Sequence, residues 1–360
     1  MASSDTRITI AVIYGGQSSE HSVSCVSAGE IMSHLDPQRY KVIPIGITVD
    51  GTWTVGESDP TQLRTIDRVM PTVTLTQEVS LSVDPARRGE FRLNDGTLFA
   101  KADVIFPVLH GMYGEDGTIQ GLFELSGIPY VGTGVLSSAC GMDKEYTKKL
   151  LAAEDLPVGK EVILRGHRAI TDAEKHYLGL PVFVKPARGG SSIGISKVTS
   201  WDDFPEAYEL AYSHDTKVIV ESEIIGAEVE CGVLQYPDGS IDVSVPAQLL
   251  DIEESTEGFY GFDTKYLDNV VSAKIPAPLG DSTIQTIQAL SKRAFRALNC
   301  EGLARVDFFV TEEGPLINEI NTMPGFTSIS MYPQVFQASG VAYEELLSIL
   351  VDTALAHARA

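Results

Sequence analysis

Arg305-Val306-Asp307, followed by Asn318-Glu319-Ile320-Asn321-Thr322-Met323-Pro324-Gly325, is the stretch from which the fold and function of this chain are best read. The segment 302–310, GLARVDFFV, is typical of a strand, 311–314 of a turn, and 315–321 of a returning strand. The sequence therefore predicts a β-hairpin that carries an unusual set of polar side chains.

The polar side chains of this hairpin fall on defined faces. Because side chains alternate along a strand, Arg305 and Asp307 share one face of the first strand, and Glu319 and Asn321 share one face of the second. Oxygen ligands of this kind suit Mg²⁺ bound through a few carboxylates and substrate phosphates. A solvated hairpin face would explain two acids alone, but a quartet with Arg and Asn among apolar residues favours a site.

Bulk properties limit the classes of function. A length of 360 residues allows two or three domains, and a formal net charge of −22 argues against a nucleic-acid or anionic-membrane partner. A small anion in a locally basic pocket remains compatible with that charge. The sequence contains no apolar run of 18 residues that would cross a bilayer. Four cysteines without close spacing fit reduced thiols and predict a cytoplasmic protein: Cys25, Cys140, Cys231 and Cys300.

The first third of the chain alternates strand and helix patterns. Continuous apolar strands alternating with helices indicate a parallel sheet covered on both faces. The segment Asp59 to Leu98 shows little pattern. The predicted strands are Ile8 to Tyr14, Tyr40 to Ile47 and Val104 to Leu109, and the predicted helices are Val23 to Leu35 and Gly117 to Leu125.

After Thr133 the pattern changes to mixed α+β, and we predict three lobes with a cleft between the last two. A long loop, Asp251 to Val271, interrupts the last lobe. The predicted helices are Lys144 to Leu151, Asp203 to Tyr212, Thr283 to Leu298 and Tyr343 to Ala356; the predicted strands are Val182 to Lys185, Ile193 to Val198, Val218 to Glu221, Val229 to Leu234 and Ile241 to Val245.

The loop Lys185 to Gly194 (KPARGGSSIG) is a candidate phosphate-binding element. Its glycines allow close approach of the backbone, and successive N–H groups form an anion site. Lys185 would contact phosphate oxygens, and Lys144 becomes a second candidate beside it. A flexible hairpin loop explains this segment equally well when it is taken alone. Its Gly-x-Ser-x-Gly pattern lacks the strand-then-helix context of a hydrolase, and no Walker A motif is present.

Three further segments follow predicted strands. Glu20, in GGQSSEH, would hold a substrate ammonium, although a helix-capping acid is the ordinary alternative. His110 precedes glycines that suggest close ligand approach, although a lone histidine is more often structural. The acids around Glu221 to Glu228 would accept hydrogen bonds from a ribose or an adenine amine, a weak signal when taken alone.

Taken together and in this order, the motifs resemble the ATP-grasp superfamily, and closely the D-alanine–D-alanine ligases. The resemblance covers nearly the whole chain, from Gly15 to Pro333. It rests on GGQSSEHSVS (15–24), HGMYGEDGTIQG (110–121), MDK (142–144), KPARGGSSIG (185–194), FDTKY (262–266) and NEINTMPGFTSISMYP (318–333).

The resemblance implies a three-lobed ATP-grasp fold with α/β and α+β parts. An N-terminal parallel-sheet domain (1–133) would be followed by a central ATP-grasp lobe (134–223) and a C-terminal ATP-grasp lobe with the active-site loop (224–360). It further implies ATP-dependent ligation of two D-alanines through an acyl phosphate, for peptidoglycan precursor synthesis. The expected cofactors are ATP and two Mg²⁺ ions, with Mn²⁺ as an alternative, and the expected assembly is a homodimer.

Residue roles carry over from the resemblance position by position. Glu20, Ser191 and Tyr266 would form a hydrogen-bond network at the first D-alanine, with His110 nearby. Arg305 and the Gly325 N–H would form an oxyanion hole. Ser330 and the Met331 backbone would receive the second D-alanine carboxylate. The remaining roles are phosphate contacts for Lys144, Lys185, Ser192 and Lys265, adenosine contacts for Glu221, Glu223, Ile224 and Glu228, and metal ligands for Asp307, Glu319 and Asn321.

Three alternatives stay open from the sequence. A ligase that joins D-alanine to D-lactate generally lacks the Lys265-Tyr266 pair seen here, whereas a D-serine ligase is harder to separate. A catalytically inactive ATP-grasp module that binds nucleotide is the alternative from another class. Loss of a metal ligand would indicate such a module, and none is lost.

Overall fold

The computed structural model describes residues 6–190, 192–250, 272–327 and 329–358. The predictions made for Ser191, Lys265, Tyr266 and the loop 251–271 therefore lie outside the described residues. The helices are α1 (His21–His34), α2 (Thr118–Ser126), α3 (Val135–Met142), α4 (Lys144–Ala153), α5 (Asp172–Leu178), α6 (Phe204–His214), α7 (Asp281–Ala297), α8 (Met331–Ala338) and α9 (Tyr343–Ala356).

The strands belong to four sheets. The first has the order β3-β2-β1-β7, the second β10-β9-β11-β8, the third β15-β14-β12-β16-β17 with β13 beside β12, and the fourth β4-β5-β6. The strands are β1 (Ile8–Gly15), β2 (Tyr40–Ile47), β3 (Trp53–Val55), β4 (Val79–Leu81), β5 (Glu90–Leu93), β6 (Leu98–Lys101), β7 (Val104–Val108), β8 (Glu161–Arg165), β9 (Val182–Pro186), β10 (Ser196–Val198), β11 (Lys217–Ser222), β12 (Ala227–Gln235), β13 (Ile241–Val243), β14 (Ala247–Leu249), β15 (Ala273–Lys274), β16 (Leu303–Thr311) and β17 (Gly314–Asn321).

The predicted parallel sheet is confirmed for its three predicted strands. β1 pairs in parallel with β2 and with β7, while β3 adds an antiparallel edge that the sequence did not predict. Along β1, Ile10 and Val12 enter one hydrophobic core, whereas Ala11 and Ile13 enter another. Burial on both faces explains why this strand reads as a continuous apolar run.

The second sheet is wholly antiparallel and carries its own core. The predicted strand at Ile193 begins later, at Ser196, because Ser192 and Gly194 adopt positive φ values of 59° and 75°, which are incompatible with a strand. The third sheet contains the predicted hairpin, β16 and β17, which pair antiparallel. A helix, α7, covers one side of this sheet and contributes Ile287 and Phe295 to its core.

The segment without a clear pattern, 59–98, contains two short 3₁₀ turns and the strands β4 and β5, with β6 beginning at its end. These strands have only three or four residues, too few for alternation to become visible. Within the described part of the chain, no helix has the length and apolar character needed to cross a membrane. All four cysteines are free thiols.

Candidate active site

The hairpin of β16 and β17 gathers the predicted quartet on one face. Arg305 lies directly opposite Asn321, and Asp307 lies directly opposite Glu319. Directly paired residues of neighbouring strands project from the same side of the sheet. The register shifts after Asp307, where Phe308 pairs with Ile317, so the pairing of the quartet ends at this irregularity.

Arg305 is held in a planar ion pair within this face. Its Nε and Nη2 atoms donate to the two carboxylate oxygens of Asp307, each at 2.7 Å, and Nε lies 3.2 Å from Glu230 Oε2 on the neighbouring strand β12. Burial lowers the pKa of the guanidinium, but the charges of Asp307 and Glu230 outweigh burial and raise that pKa well above its ordinary value. Arg305 therefore remains a fixed positive charge.

Lys144 connects the hairpin to the glycine loop. As the first residue of α4, it donates from Nζ to the Gly189 carbonyl at 2.9 Å and forms an ion pair with Glu319 at 3.4 Å. Its backbone N–H donates to the Ala187 carbonyl at 3.0 Å. One lysine thus contacts both the predicted phosphate loop and a predicted metal ligand.

The base of the glycine loop is held by a buried acid. Asp215 accepts hydrogen bonds from the Arg188 backbone N–H and Nε, both at 3.0 Å, and from Nη2 at 2.5 Å. Gly194, near the other end, has no room for a side chain, because a Cβ there would lie 2.6 Å from His214 Cδ2. Contacts with Asp215 and His214 thus constrain the two ends of the loop.

Lys185, at the end of β9, faces a buried acid. Its ammonium forms an ion pair with Glu221 of β11, and a second lysine, Lys148 of α4, contacts the other oxygen of the same carboxylate. Burial lowers the pKa of Lys185, but the charge of Glu221 outweighs burial and raises it. Burial likewise opposes ionisation of Glu221, yet the two lysines lower its pKa to about 2.

The remaining predicted adenosine residues lie next to Glu221. Ile224 is half-buried, and its Cδ1 atom would be 2.7 Å from a Cβ on Gly159, so Gly159 and Ile224 are in close contact. Glu223 pairs with Lys197 at 2.6 Å, and its N–H donates to the Pro181 carbonyl at 3.0 Å. Glu228 lies on β12 opposite Phe309 of β16.

Glu20 lies against two glycines from separate parts of the chain. A Cβ on Gly111 would lie 3.0 Å from Glu20 Oε2, and one on Gly190 would lie 3.1 Å from the same oxygen. The acid precedes α1 but makes no side-chain cap to that helix. The ordinary alternative, a capping acid, therefore has no support, and the carboxylate instead meets the glycine loop.

His110 and Glu115 are close to Glu20. Burial lowers the pKa of His110, and only part of this effect is offset by the charge of Glu20, so the imidazole is neutral. Glu115 accepts a hydrogen bond from the Gly111 N–H at 2.6 Å, and burial followed by the charge of Glu20 raises its pKa to about 8. The motif HGMYGEDG contains Glu115 as well as His110, but only the histidine was predicted to be a site residue.

The residues predicted to receive the carboxylate of the second D-alanine lie at the start of α8. Ser330 is the N-cap residue of this helix, Met331 its first residue, and the Ser330 hydroxyl accepts from the Thr327 N–H at 3.0 Å. A Cβ on Gly325 would lie 2.8 Å from Ser330 Oγ, so the Gly325 backbone and this hydroxyl are adjacent. A helix N-terminus offers N–H groups to a carboxylate.

The predicted metal ligands provide oxygen donors only. Among the described residues, no group of three or more His, Cys, Asp or Glu side chains is arranged to hold a metal ion. The third predicted donor is the Asn321 amide, and its Oδ1 atom accepts the Met323 N–H at 3.1 Å. Two carboxylates and one amide oxygen are a donor set that fits Mg²⁺ rather than a soft metal.

The glycine loop, with Lys185 at its start, is joined through Lys144 to the oxygen-rich hairpin, and the two antiparallel sheets that carry these elements follow a parallel-sheet domain. This combination defines an ATP-grasp fold. Residues 9–133 match the family described as "D-ala D-ala ligase N-terminus", and residues 150–352 match "D-ala D-ala ligase C-terminus". The chain belongs to the D-alanine–D-alanine ligase family.

Curated relatives are similar over almost their full lengths. The D-alanine–D-alanine ligase of Corynebacterium diphtheriae is 70% identical over 354 residues, which cover 98% of this chain and 97% of the relative. The enzyme of the same name from Rhodococcus erythropolis is 60% identical over 364 residues, covering 99% and 98%.

Solved structures agree with the fold. The VanG D-Ala:D-Ser ligase of Enterococcus faecalis has a TM-score of 0.83 at 36% identity, covering 97% of this chain and 100% of that one. The D-alanine–D-alanine ligase of Coxiella burnetii has a TM-score of 0.83 at 32% identity, covering 97% and 94%. The Bacillus anthracis enzyme complexed with ATP has a TM-score of 0.72 at 27% identity, covering 97% of both chains.

Proposed function

We propose that this chain ligates two D-alanines to D-alanyl-D-alanine at the expense of ATP, through an acyl phosphate, for peptidoglycan precursor synthesis. The names of relatives at 58–70% identity support this substrate. The structural observation that carries the proposal is the convergence on the glycine loop: Lys144 joins Gly189 to Glu319, while Glu20 meets Gly190. The sites that we propose for the amino-acid ammonium, the ATP phosphates and the metal are therefore next to one another.

The first step activates a carboxylate. A carboxylate does not react with an amine, so the γ-phosphoryl group of ATP is transferred to D-alanine to give an acyl phosphate and ADP. Lys144, Lys185 and Lys265 hold the phosphates, with Ser192 in the glycine loop. Glu221, Glu223, Ile224 and Glu228 hold the adenosine. Catalysis of phosphoryl transfer rests chiefly on such positioning and charge stabilisation.

Asp307, Glu319 and Asn321 would hold the Mg²⁺ ions, which neutralise charge on the phosphate oxygens when bound. The ion pairs of these acids with Arg305 and Lys144 support this assignment, because they show that the hairpin face is a place where positive charge is favourable. The donor set also fits Mn²⁺.

Glu20 binds the ammonium of the first D-alanine, and Ser191 and Tyr266 complete its hydrogen-bond network. The neutral His110 is compatible with this role, because a charged imidazole beside Glu20 would compete with the substrate ammonium. Because Glu20 lies close to Gly190, a D-alanine whose ammonium is bound by Glu20 would have its carboxylate near the glycine loop.

In the second step the amine of the other D-alanine attacks the acyl phosphate, and phosphate leaves. The tetrahedral oxyanion receives hydrogen bonds from Arg305 and the Gly325 N–H. Ser330 and the Met331 N–H receive the carboxylate of the attacking D-alanine. The fixed charge of Arg305 supports this role, since a preorganised donor does not need to move as the oxyanion forms.

The decisive experiment offers the enzyme ATP and Mg²⁺ with D-alanine, L-alanine, D-serine plus D-alanine, or D-lactate plus D-alanine. We expect phosphate release and D-alanyl-D-alanine, identified by mass, with D-alanine alone. A mixed product with D-serine or D-lactate in preference to D-alanine would replace the substrate assignment. ATP binding without any ligation product would support the inactive module instead.

We also propose a homodimer and a cytoplasmic location, the latter because the reaction consumes ATP. Leu125 of α2 and Leu136 of α3 are 70% and 65% exposed, and the two helices are in contact. These two helices carry the surface that we propose as the dimer interface. Sedimentation of the wild type and Leu136→Glu should give a dimer and a monomer, respectively.

A further inference from the structure

The ion-pair cluster around Glu221 contains a half-buried acid that the proposed mechanism does not use. Lys148 of α4 contacts Glu221 and also lies 3.6 Å from Glu161 Oε2 on β8. Glu161 is directly opposite Glu221 in the pairing of β8 with β11, so the two carboxylates are on the same face of the sheet. Lys185 contacts the second oxygen of Glu221. Two lysines and two carboxylates thus form one chain of contacts: Lys185, Glu221, Lys148, Glu161.

Glu161 has the weakest contacts of the four residues in this cluster. Its Oε2 atom is buried and makes no hydrogen bond among the described residues, and 3.6 Å to Lys148 is an ion pair only. Lys148 instead directs its hydrogen bond to Glu221. Glu161 as a whole is half-buried, and its ionised form is favourable only if a neighbouring cation compensates for the hydration that Oε2 has lost.

We propose that Glu161 is a positioning residue for the nucleotide, which competes with Glu221 for Lys148 and thereby determines how readily Lys185 leaves Glu221 for the ATP phosphates. This inference rests on the proposed function, in which Lys185 contacts ATP. When Glu161 is ionised, the charges of the cluster cancel. When Glu161 is protonated, the cluster carries one net positive charge, which favours an anionic nucleotide.

The contacts predict how ATP binding changes the ionisation of Glu161. As Lys185 turns toward the phosphates, Glu221 loses one of its two cations and depends more on Lys148. Lys148 then compensates Glu161 less, so the ionised form of Glu161 becomes less favourable in the complex than in the free enzyme. ATP binding therefore takes up a proton at Glu161, and ATP affinity falls as the pH rises through the titration of this group.

Burial and the charged groups near Glu161 together place the titration of its carboxyl group near neutral pH. Burial raises the pKa of Glu161 to about 7; Lys148 of α4 lowers it, while Glu221 of β11 and Glu145 of α4 raise it. Lys185 of β9 acts on it through Glu221. The proton should therefore be taken up over the pH range in which the enzyme is assayed.

The test is calorimetric titration of the full-length enzyme with ATP and excess Mg²⁺, without amino acid, at pH 7 and pH 8 in two buffers of different ionisation enthalpy. The buffer dependence of the heat counts protons taken up. We expect proton uptake by the wild type and by Glu161→Asp, and a markedly smaller uptake by Glu161→Gln. If the pKa shifts by one unit, the wild type loses affinity about tenfold across the titration, whereas Glu161→Gln does not.

Glu154→Gln, on an exposed site at the end of α4, is the matched control and should behave as the wild type. Equal proton uptake by the wild type and Glu161→Gln would overturn the inference, as would an affinity ratio between them that is independent of pH. If Glu161→Gln does not fold, absence of proton uptake by the wild type overturns it. Failure of the proposed function is a different outcome: the wild type would form no ligation product.

Discussion

Glu319 is the residue on which the proposed chemistry most depends, because it lies between the phosphate loop and the oxygen donors. It faces Asp307 across the hairpin and pairs with Lys144. We expect Glu319→Gln to keep the fold but to lose several kcal/mol of transition-state stabilisation, about 100-fold or more in kcat. Measurement of kcat against Mg²⁺ concentration checks this.

Glu313→Gln, an exposed acid in the turn of the same hairpin, is the control for Glu319 and should retain wild-type kinetics. Thermal unfolding of both variants would show whether the hairpin survives. A Glu319→Gln enzyme with near-normal kcat and unchanged Mg²⁺ dependence would rule out its assignment as a metal ligand.

The sequence predicts a site residue correctly where neighbouring residues alone decide which way its side chain faces. Strand alternation put Arg305 with Asp307 and Glu319 with Asn321, but the sequence could not show that the two pairs face each other, because this depends on the strand register. Glu230 and Glu161 escaped prediction for the same reason: each is an ordinary strand acid until a partner strand brings it to Arg305 or Lys148. Ion-pair partners come from tertiary pairing, which has no local signature.

At the scale of elements, the close approach of the glycine loop to Glu20 can be tested by substitution. A Cβ on Gly190 would lie 3.1 Å from Glu20 Oε2, tighter than ordinary contact, so Gly190→Ala must displace the carboxylate by a few tenths of an ångström. Small misplacements of a binding group reduce catalytic efficiency, and we expect the KM for D-alanine to rise about threefold to tenfold. Steady-state kinetics at saturating ATP measure this.

Gly189→Ala is the matched control in the same loop. Its Cβ would meet Pro186 Cγ at 3.4 Å and Pro186 Cβ at 3.8 Å, which are ordinary contacts, and the carbonyl that accepts from Lys144 is kept. A smaller change in the KM for D-alanine is therefore expected. Equal effects of the two substitutions would mean that loop rigidity, and not contact with Glu20, controls D-alanine binding.

Helix α4 is fixed by a buried acid whose effect on stability should depend on pH. Burial would raise the pKa of Glu145, but hydrogen bonds from Lys149, Arg165 and Lys217 outweigh it and lower the pKa to about 2. A folded-state pKa below the unfolded one stabilises at pH values above the unfolded pKa, and this stabilisation is lost as the pH falls toward the folded pKa. The contribution is on the order of 3 kcal/mol at pH 7.

Glu145→Gln should therefore lower the urea midpoint strongly at pH 7, with a difference from the wild type that shrinks as the pH falls below about 4.5. Glu154→Gln, on the exposed end of the same helix, is expected to have little effect at any pH. A difference between Glu145→Gln and the wild type that is the same at pH 7 and pH 4 would exclude an electrostatic origin.

Element prediction succeeded where apolar runs were long and failed where they were short. The strand Tyr40–Ile47 and the helix Tyr343–Ala356 were predicted with their observed bounds. The three-residue strands β3 and β4 were missed, because so few residues cannot establish a period of two. Such strands form through pairing with a neighbour and not through their own sequence.

At the scale of the whole molecule, the two ends of the chain share one hydrophobic core. Ile10 and Val12 of β1 and Phe106 of β7 pack in the same cluster as Leu346 and Leu350 of α9. Helix α9 contacts both α1 and β7. A core built from both ends cannot form until the whole chain is present. The patterns in the first third therefore predicted its strands, but they could not predict that a helix from the other end of the chain covers them.

Leu350→Ala tests whether this shared core joins the ends of the chain into one cooperative unit. Leu350 is fully buried, and removal of its side chain leaves a cavity between α9 and the first sheet, at a typical cost of about 2–5 kcal/mol. We expect a lower urea midpoint together with faster proteolysis of the first 108 residues, since β7 ends at Val108 and loses its cover. Leu210→Ala, on the exposed face of α6, removes the same atoms without a cavity and should leave both readouts near the wild type. If Leu350→Ala accelerates cleavage only within α9, the first sheet is stable without the C-terminal helix, and the two ends unfold independently.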